Sequence, residues 1–107
     1  MKYRMDHAGA WETSTMMFAH KERVCLDELR GQMESTGRAD VETMQIKDGE
    51  GIGGLNPLKY ASPELGQEIV EFCAERIGKR AIDVLEGRIE PLVIADKAFM
   101  DNPGPTD

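Results

Sequence analysis

The clearest pattern in the chain is a run of apolar residues at three- and four-residue steps that begins after residue 62. Ser62, Pro63 and Glu64 supply a capping hydroxyl, a proline at the first helical position and an acid in the first turn. The apolar positions that follow, with charged residues between them, are Leu65, Ile69, Phe72, Cys73, Ile77, Ala81, Val84 and Leu85. This spacing predicts an amphipathic helix over residues 63–86 that ends near Gly87.

Shorter patterns predict two elements near the N-terminus. Alternating apolar and basic residues in Met1–Met5 predict a short strand with one face on a core. The continuous apolar run Met16–Ala19 predicts a helix that is covered on most of its sides, and Thr13 and Ser14 are candidate caps near its start. The N-terminal end is therefore predicted to run strand, loop, helix.

The middle of the chain is less regular. Apolar residues between Val24 and Leu29 predict a second helical stretch, which Gly31 would end. Val41–Ile46 predicts a strand. Four glycines in Gly49–Gly54 indicate a flexible loop or a close backbone approach, and no Gly-Lys-Ser/Thr ending follows to suggest a phosphate-binding loop.

Length and charge limit the classes of protein that fit. A chain of 107 residues, 40% hydrophobic and 31% charged, predicts one small globular domain over residues 1–95 and an extended tail over residues 96–107. The net charge of −7 disfavours a nucleic-acid partner. No apolar run approaches the ~20 residues that a membrane span needs, and no stretch resembles a signal peptide, so a cytoplasmic location is expected.

Two cysteines and one of the two histidines are expected to be structural. Cys25 and Cys73 have no companion cysteines for a disulfide framework or a zinc site, and both lie in helix-like apolar patterns that predict buried thiols. His20 ends an apolar stretch and has no acid at metal-ligand spacing.

The candidate chemistry lies between Asp6 and Ser14. This stretch brings an imidazole, His7, and two carboxylates, Asp6 and Glu12, to one predicted strand-to-helix turn. Ligands gather at the carboxyl ends of strands in α/β proteins, and histidine gives and takes protons near neutral pH. Glu12 would orient the imidazole or stabilise its protonated form. The alternative is that His7 is an ordinary surface hydrogen-bonding group.

The residues of this stretch also resemble a family signature. His7-Ala8-Gly9, two variable residues and Glu12-Thr13-Ser14 match the His-Ala-Gly-x-x-Glu-Thr-Ser motif of the creatininase (creatinine amidohydrolase) family. Residues 53–57 and 61–66 are similar to the passage before that family's last long helix, although Asn56 stands where the pattern usually has Asp. The resemblance covers about residues 5–87.

The resemblance implies an α/β layered fold with a mostly parallel sheet, of which residues 1–95 would be the C-terminal portion. It implies a metal-dependent hydrolase that opens small cyclic amides or removes formyl groups. His7 would then move a proton to the leaving nitrogen, with Glu12 beside it in the catalytic pocket. Asp6 is a candidate for substrate contact. Trp11 is a candidate pocket wall, with ordinary packing as the alternative.

The resemblance also implies a divalent Zn, Mn or Fe ion, whose ligands are not found in this chain. We therefore expect an N-terminal half or partner subunit to bring the metal, and the apolar helices predict obligate association with that partner or in an oligomer. Two alternatives stay open, because the chain also fits a truncated fragment or a non-catalytic interaction subunit that has kept the motif.

Overall fold

The computed structural model describes residues 6–90, which form four α-helices, two short strands and two 3-10 turns. The predicted strand Met1–Met5 and the predicted tail over residues 96–107 lie outside the described residues. The α-helices are α1 (Ala10–His20), α2 (Leu26–Ser35), α3 (Pro57–Tyr60) and α4 (Pro63–Leu85), the strands are β1 (Thr43–Met44) and β2 (Gly54–Leu55), and the 3-10 turns are Lys21–Arg23 and Ile46–Asp48.

The sheet within residues 6–90 is small and antiparallel. Thr43 pairs with Leu55, and Met44 pairs with Gly54. The strand predicted over residues 41–46 is shorter than expected because Ile46 begins a 3-10 turn, which the side chains of the flanking residues close with a capping box. The described part of the chain is thus a mixed α and β structure dominated by helices, and the mostly parallel sheet stays a prediction.

Helix α4 confirms the long helix expected from the sequence. The hydroxyl of Ser62 accepts the backbone N–H of Leu65 at 3.0 Å, so the predicted cap is present. The helix ends at Leu85, and Gly87 follows in the left-handed region with φ 76°.

Helices α1 and α4 pack against each other at a glycine. A Cβ atom on Gly66 would lie 1.9 Å from the carbonyl oxygen of Ser14, so only glycine lets the two backbones approach this closely. The buried hydroxyl of Ser14 accepts the backbone N–H of Ser62 at 3.0 Å. Because α1 begins at Ala10, the expected caps Thr13 and Ser14 lie inside the helix, and that prediction is wrong.

A small apolar core joins α2 to the strands. It contains Met33, Met44 and Ile52 and is flanked by the partly buried side chains Leu29, Ala39, Val41 and Leu58. Helix α2 continues through Gly31 to Ser35, so the predicted stop at Gly31 is wrong. The continuation brings Met33 into the core with no exposed surface, and its burial offsets the low helix propensity of the glycine.

Asn56 joins three backbone segments from a fully buried position. Its Oδ1 accepts the N–H of Leu58 at 2.9 Å and caps α3. Its Nδ2 donates to the carbonyl oxygens of Ala39 at 3.1 Å and Val41 at 2.8 Å. An aspartate, which the family pattern usually has here, could not make these two donations when ionised, so the amide fits this environment.

Two predictions of burial are wrong. Met16 and Phe18 are 47% and 43% exposed, so α1 is covered chiefly on the side that faces α4. Cys25 and Cys73 are both exposed. The apolar periodicity was correct for the helices around Met16 and Cys73, whereas Val24 and Cys25, predicted to be helical, are extended and precede α2. Periodicity also does not show whether a neighbouring element covers the apolar face. None of the described helices combines the length and apolarity that a membrane crossing requires.

Candidate functional site

The residues that lead into α1, together with its first turn, form a tight turn, which we call the His7 turn (residues 6–12). The carboxylate of Asp6 accepts the backbone N–H of Trp11 at 3.2 Å and of Glu12 at 2.9 Å. These N–H groups belong to the first turn of α1 and have no partner within the helix. Asp6 therefore caps α1 in place of Gly9, which occupies the N-cap position without a side chain, and its negative charge favours the helix N-terminus.

His7 is fixed through its backbone while its side chain remains exposed. Its N–H donates to the carbonyl oxygen of Gly53 at 2.8 Å, and its own carbonyl oxygen accepts the N–H of Gly53 at 2.9 Å. This antiparallel bridge ties the turn to the residue that precedes β2. The glycine-rich segment thus makes the close backbone approach that the sequence left as one of two alternatives.

Glu12 supports the residue that follows the histidine. Ala8 has φ 55°, a left-handed conformation that is uncommon for alanine. The N–H of Ala8 donates to Oε1 of Glu12 at 3.3 Å, and the carbonyl oxygen of Ala8 accepts the hydroxyl of Thr13 at 3.2 Å. These side chains therefore stabilise the strained residue between His7 and the helix.

Gly9 completes the turn because there is no room for a side chain. A Cβ atom there would lie 2.5 Å from Oδ1 of Asp6 and 3.1 Å from the carbonyl oxygens of Gly53 and Leu55. The small residue allows the Asp6 carboxylate to reach the helix terminus and allows the segment before β2 to pack against the turn.

The structure thus places all four candidate site residues on one turn. Asp6, His7 and Glu12 share one turn, and Trp11, also on it, is half-buried. Asp6 and Glu12 each bind backbone N–H groups in this state, so contact with a substrate and participation in catalysis stay predictions. His20 lies at the end of α1, exposed, with Nδ1 3.2 Å from a carboxylate oxygen of Glu22.

A second polar cluster, which sequence reasoning missed, lies beside the glycine-rich segment. Arg38 contacts Glu50 at 2.8 Å and Asp48 at 3.1 Å, and the Glu50 side chain is only 6% exposed. The N–H of Gln45 and, less strongly, the Arg38 guanidinium lower the pKa of Asp48, and the hydrogen bond to Glu50 raises the pKa of Arg38. The partners are 10 and 12 residues apart, so no local sequence signal pairs them.

Within residues 6–90, no group of three or more His, Cys, Asp or Glu side chains could hold a metal ion. The described part of the chain therefore does not fit a metal centre by itself. Comparison with known proteins found no matching family model, no matching curated protein and no matching solved structure. The likeness to the creatininase family consequently rests on the motif residues alone.

Proposed function

We propose that this chain supplies the proton-transfer histidine of a creatininase-like hydrolase that acts on a small cyclic amide, a formamide or a related polar carbonyl compound. The remaining parts of the site would come from an N-terminal half or partner subunit. The mostly parallel layered sheet belongs to the same proposal, with its other strands supplied by that partner. The proposal is supported by the motif residues Gly9, Glu12 and Thr13, each of which accommodates or stabilises the backbone next to His7.

The observation that carries the proposal is the contrast between the backbone and the side chain of His7. Two hydrogen bonds of 2.8 and 2.9 Å hold its backbone against Gly53, whereas the imidazole is exposed. A catalytic group needs a fixed position and access to the reacting atoms. The turn before α1 holds the backbone of His7 in place and leaves its imidazole accessible, which is the arrangement that a proton donor needs.

The chemistry that we assign to this chain is one proton transfer. Water adds to the carbonyl carbon of the substrate and releases a proton. When the carbon–nitrogen bond of this adduct breaks, the bonding electron pair goes to the nitrogen, and the protonated imidazole of His7 donates a proton to it. The neutral imidazole then regains the proton that the attacking water released and is ready for another cycle. Glu12, in the first turn of α1, stabilises the backbone next to His7 by accepting the N–H of Ala8.

No residue within 6–90 is assigned a metal-ligating role, since no group of three or more His, Cys, Asp or Glu side chains there could hold a metal ion. The divalent ion implied by the resemblance, and its ligands, belong to the proposed partner.

The test compares the two histidines of the chain in the assembled protein. The chain is co-expressed with the product of the reading frame immediately upstream, and hydrolysis of a cyclic amide and of a formamide is measured. His7→Ala should lower turnover by about 100-fold or more. His20→Ala is the matched control, because His20 is the other histidine and is also exposed, and it should leave turnover unchanged.

Full activity of the His7→Ala complex would reject the role of His7. A complex that assembles stably but hydrolyses neither compound would favour the second candidate function, a non-catalytic interaction subunit. The exposed apolar side chains of α4 favour that candidate independently, since Phe72 is 59% and Ile77 69% exposed.

A further inference from the structure

We infer that Asp6 is a positioning residue for His7 rather than a substrate contact, and that Gly9 is required for this task; the inference rests on the proposed function. Asp6 immediately precedes His7, and its carboxylate binds both Trp11 N–H and Glu12 N–H. The carboxylate thereby attaches the backbone next to His7 to the first turn of α1.

The position of His7 is therefore fixed from two sides. On one side, the backbone pairs with Gly53 through two hydrogen bonds. On the other side, the Asp6 carboxylate holds the chain against α1. The intervening Ala8 is in the left-handed region, a conformation that persists only when its surroundings support it. Loss of either attachment should let the turn relax and move the imidazole.

The carboxylate of Asp6 is also poorly available to a substrate. Both of its oxygens accept backbone N–H groups, and Oδ1 lies where a Cβ on Gly9 would be only 2.5 Å away. A substrate that bound this carboxylate would compete with the cap of α1. Helix capping and close packing thus account for the acid at position 6 and the glycine at position 9 without a substrate.

The test is backbone amide hydrogen exchange in the full chain, because it needs no assumption about the reaction. In Asp6→Asn, one oxygen remains as an acceptor, but the new amide nitrogen faces a backbone N–H. We expect exchange at Trp11 and Glu12 to become about five- to tenfold faster. Exchange at His7 and Gly53 should also accelerate, whereas exchange at Leu58, whose N–H binds the side chain of Asn56 and not that of Asp6, should not change.

Two control variants separate the turn from general effects. Asp27→Asn removes an acid from the first turn of α2, where no side-chain cap bond exists, and it should not change exchange in the His7 turn. Gly9→Ala should act like Asp6→Asn, because the new Cβ would displace the carboxylate. Gly31→Ala is its control, because the new Cβ has no atom within 4 Å, and it should leave exchange in the His7 turn unchanged.

Unchanged exchange at His7 and Gly53 in Asp6→Asn would overturn the inference. Equal acceleration at Leu58 would also overturn it, since Asp6 would then be a general stabilising group. In the assembled hydrolase, Asp6→Asn should lower kcat about tenfold and keep KM within about twofold, because a displaced imidazole transfers protons poorly. An increase in KM with kcat unchanged would instead identify a substrate contact. If the complex with the unaltered chain had no hydrolytic activity, the proposed function would be rejected, but the exchange test of Asp6 would still apply.

Discussion

The buried contacts that Asn56 and Ser14 make between segments and the outer part of α4 use polar and apolar residues in opposite ways. Asn56 and Ser14 are fully buried, and each binds backbone groups of other elements. Ile77 and Leu85 are apolar but 69% and 85% exposed. The first region therefore depends on buried hydrogen bonds between segments, whereas the second depends on local helix formation. Substitutions should cost stability in the first region and little in the second.

The sharpest version of this comparison uses two glycines of α4. In Gly66→Ala, the new Cβ would lie 1.9 Å from the carbonyl oxygen of Ser14, so the helices must separate, and we expect a loss of about 3 kcal/mol. Gly78→Ala adds a Cβ with no atom within 4 Å and should raise the free energy of unfolding by up to about 1 kcal/mol. Urea unfolding of both variants measures the difference, and equal effects would contradict the packing.

The buried hydrogen bonds can be broken by one change at Asn56. Asn56→Asp keeps the acceptor for Leu58 N–H but turns the two donations to Ala39 and Val41 into contacts between oxygens. We expect a loss of about 2–4 kcal/mol at neutral pH. The loss should shrink in acid, where the protonated carboxyl regains one donor. Thermal unfolding across pH measures this, and a loss that does not depend on pH would contradict the assigned role of the amide.

The N-termini of α4 and α1 show what the sequence could and could not predict. The start of α4 was predictable because Ser62, Pro63 and Glu64 act within one helical turn. The cap of α1 was not, because Asp6 acts from outside the helix and across a left-handed residue. The sequence brought the motif residues to one turn but could not show which carboxylate oxygens bind backbone.

The core and the exposed faces were difficult to predict from the sequence for a related reason. Periodicity predicted apolar faces around Cys25 and Cys73 but could not show that both thiols are exposed. The strand predicted over residues 41–46 is present only at Thr43–Met44, because a capping box between Gln45 and Asp48 begins a 3-10 turn after it. Both outcomes depend on neighbouring elements or on local polar bonds that compete with the apolar pattern.

The cluster of Arg38, Asp48 and Glu50 should lose a moderate part of its contribution to stability in acid. The pKa of Asp48 lies below its ordinary value of 3.8, chiefly because the carboxylate accepts the N–H of Gln45 and secondarily because of Arg38. Its contribution to stability is complete above pH 3.8 and is lost as pH falls through the lowered folded-state pKa. A carbon-detected NMR titration should give a midpoint below 3.8 that rises in Arg38→Met. A midpoint at or above 3.8 in the unaltered chain would contradict this account.

The smallest effect of a substitution on the free energy of unfolding is expected on the outer part of α4. Ile77→Gln replaces a side chain that is 69% exposed and should change the free energy of unfolding by no more than about 0.5 kcal/mol. Met33→Ala is the contrasting control, because it empties a fully buried core position and should cost about 3 kcal/mol. A large loss in Ile77→Gln would show that this face is already covered within the folded chain.

The most direct test of the proposed proton transfer is chemical rescue of the His7→Ala complex by free imidazole. We predict that millimolar imidazole restores much of the lost turnover, with an increase that depends on pH, and that it leaves the His20→Ala complex unaffected. A His7→Ala complex as active as the unaltered one, or one whose lost turnover imidazole does not restore at any pH, would contradict the assignment of His7 as the proton donor.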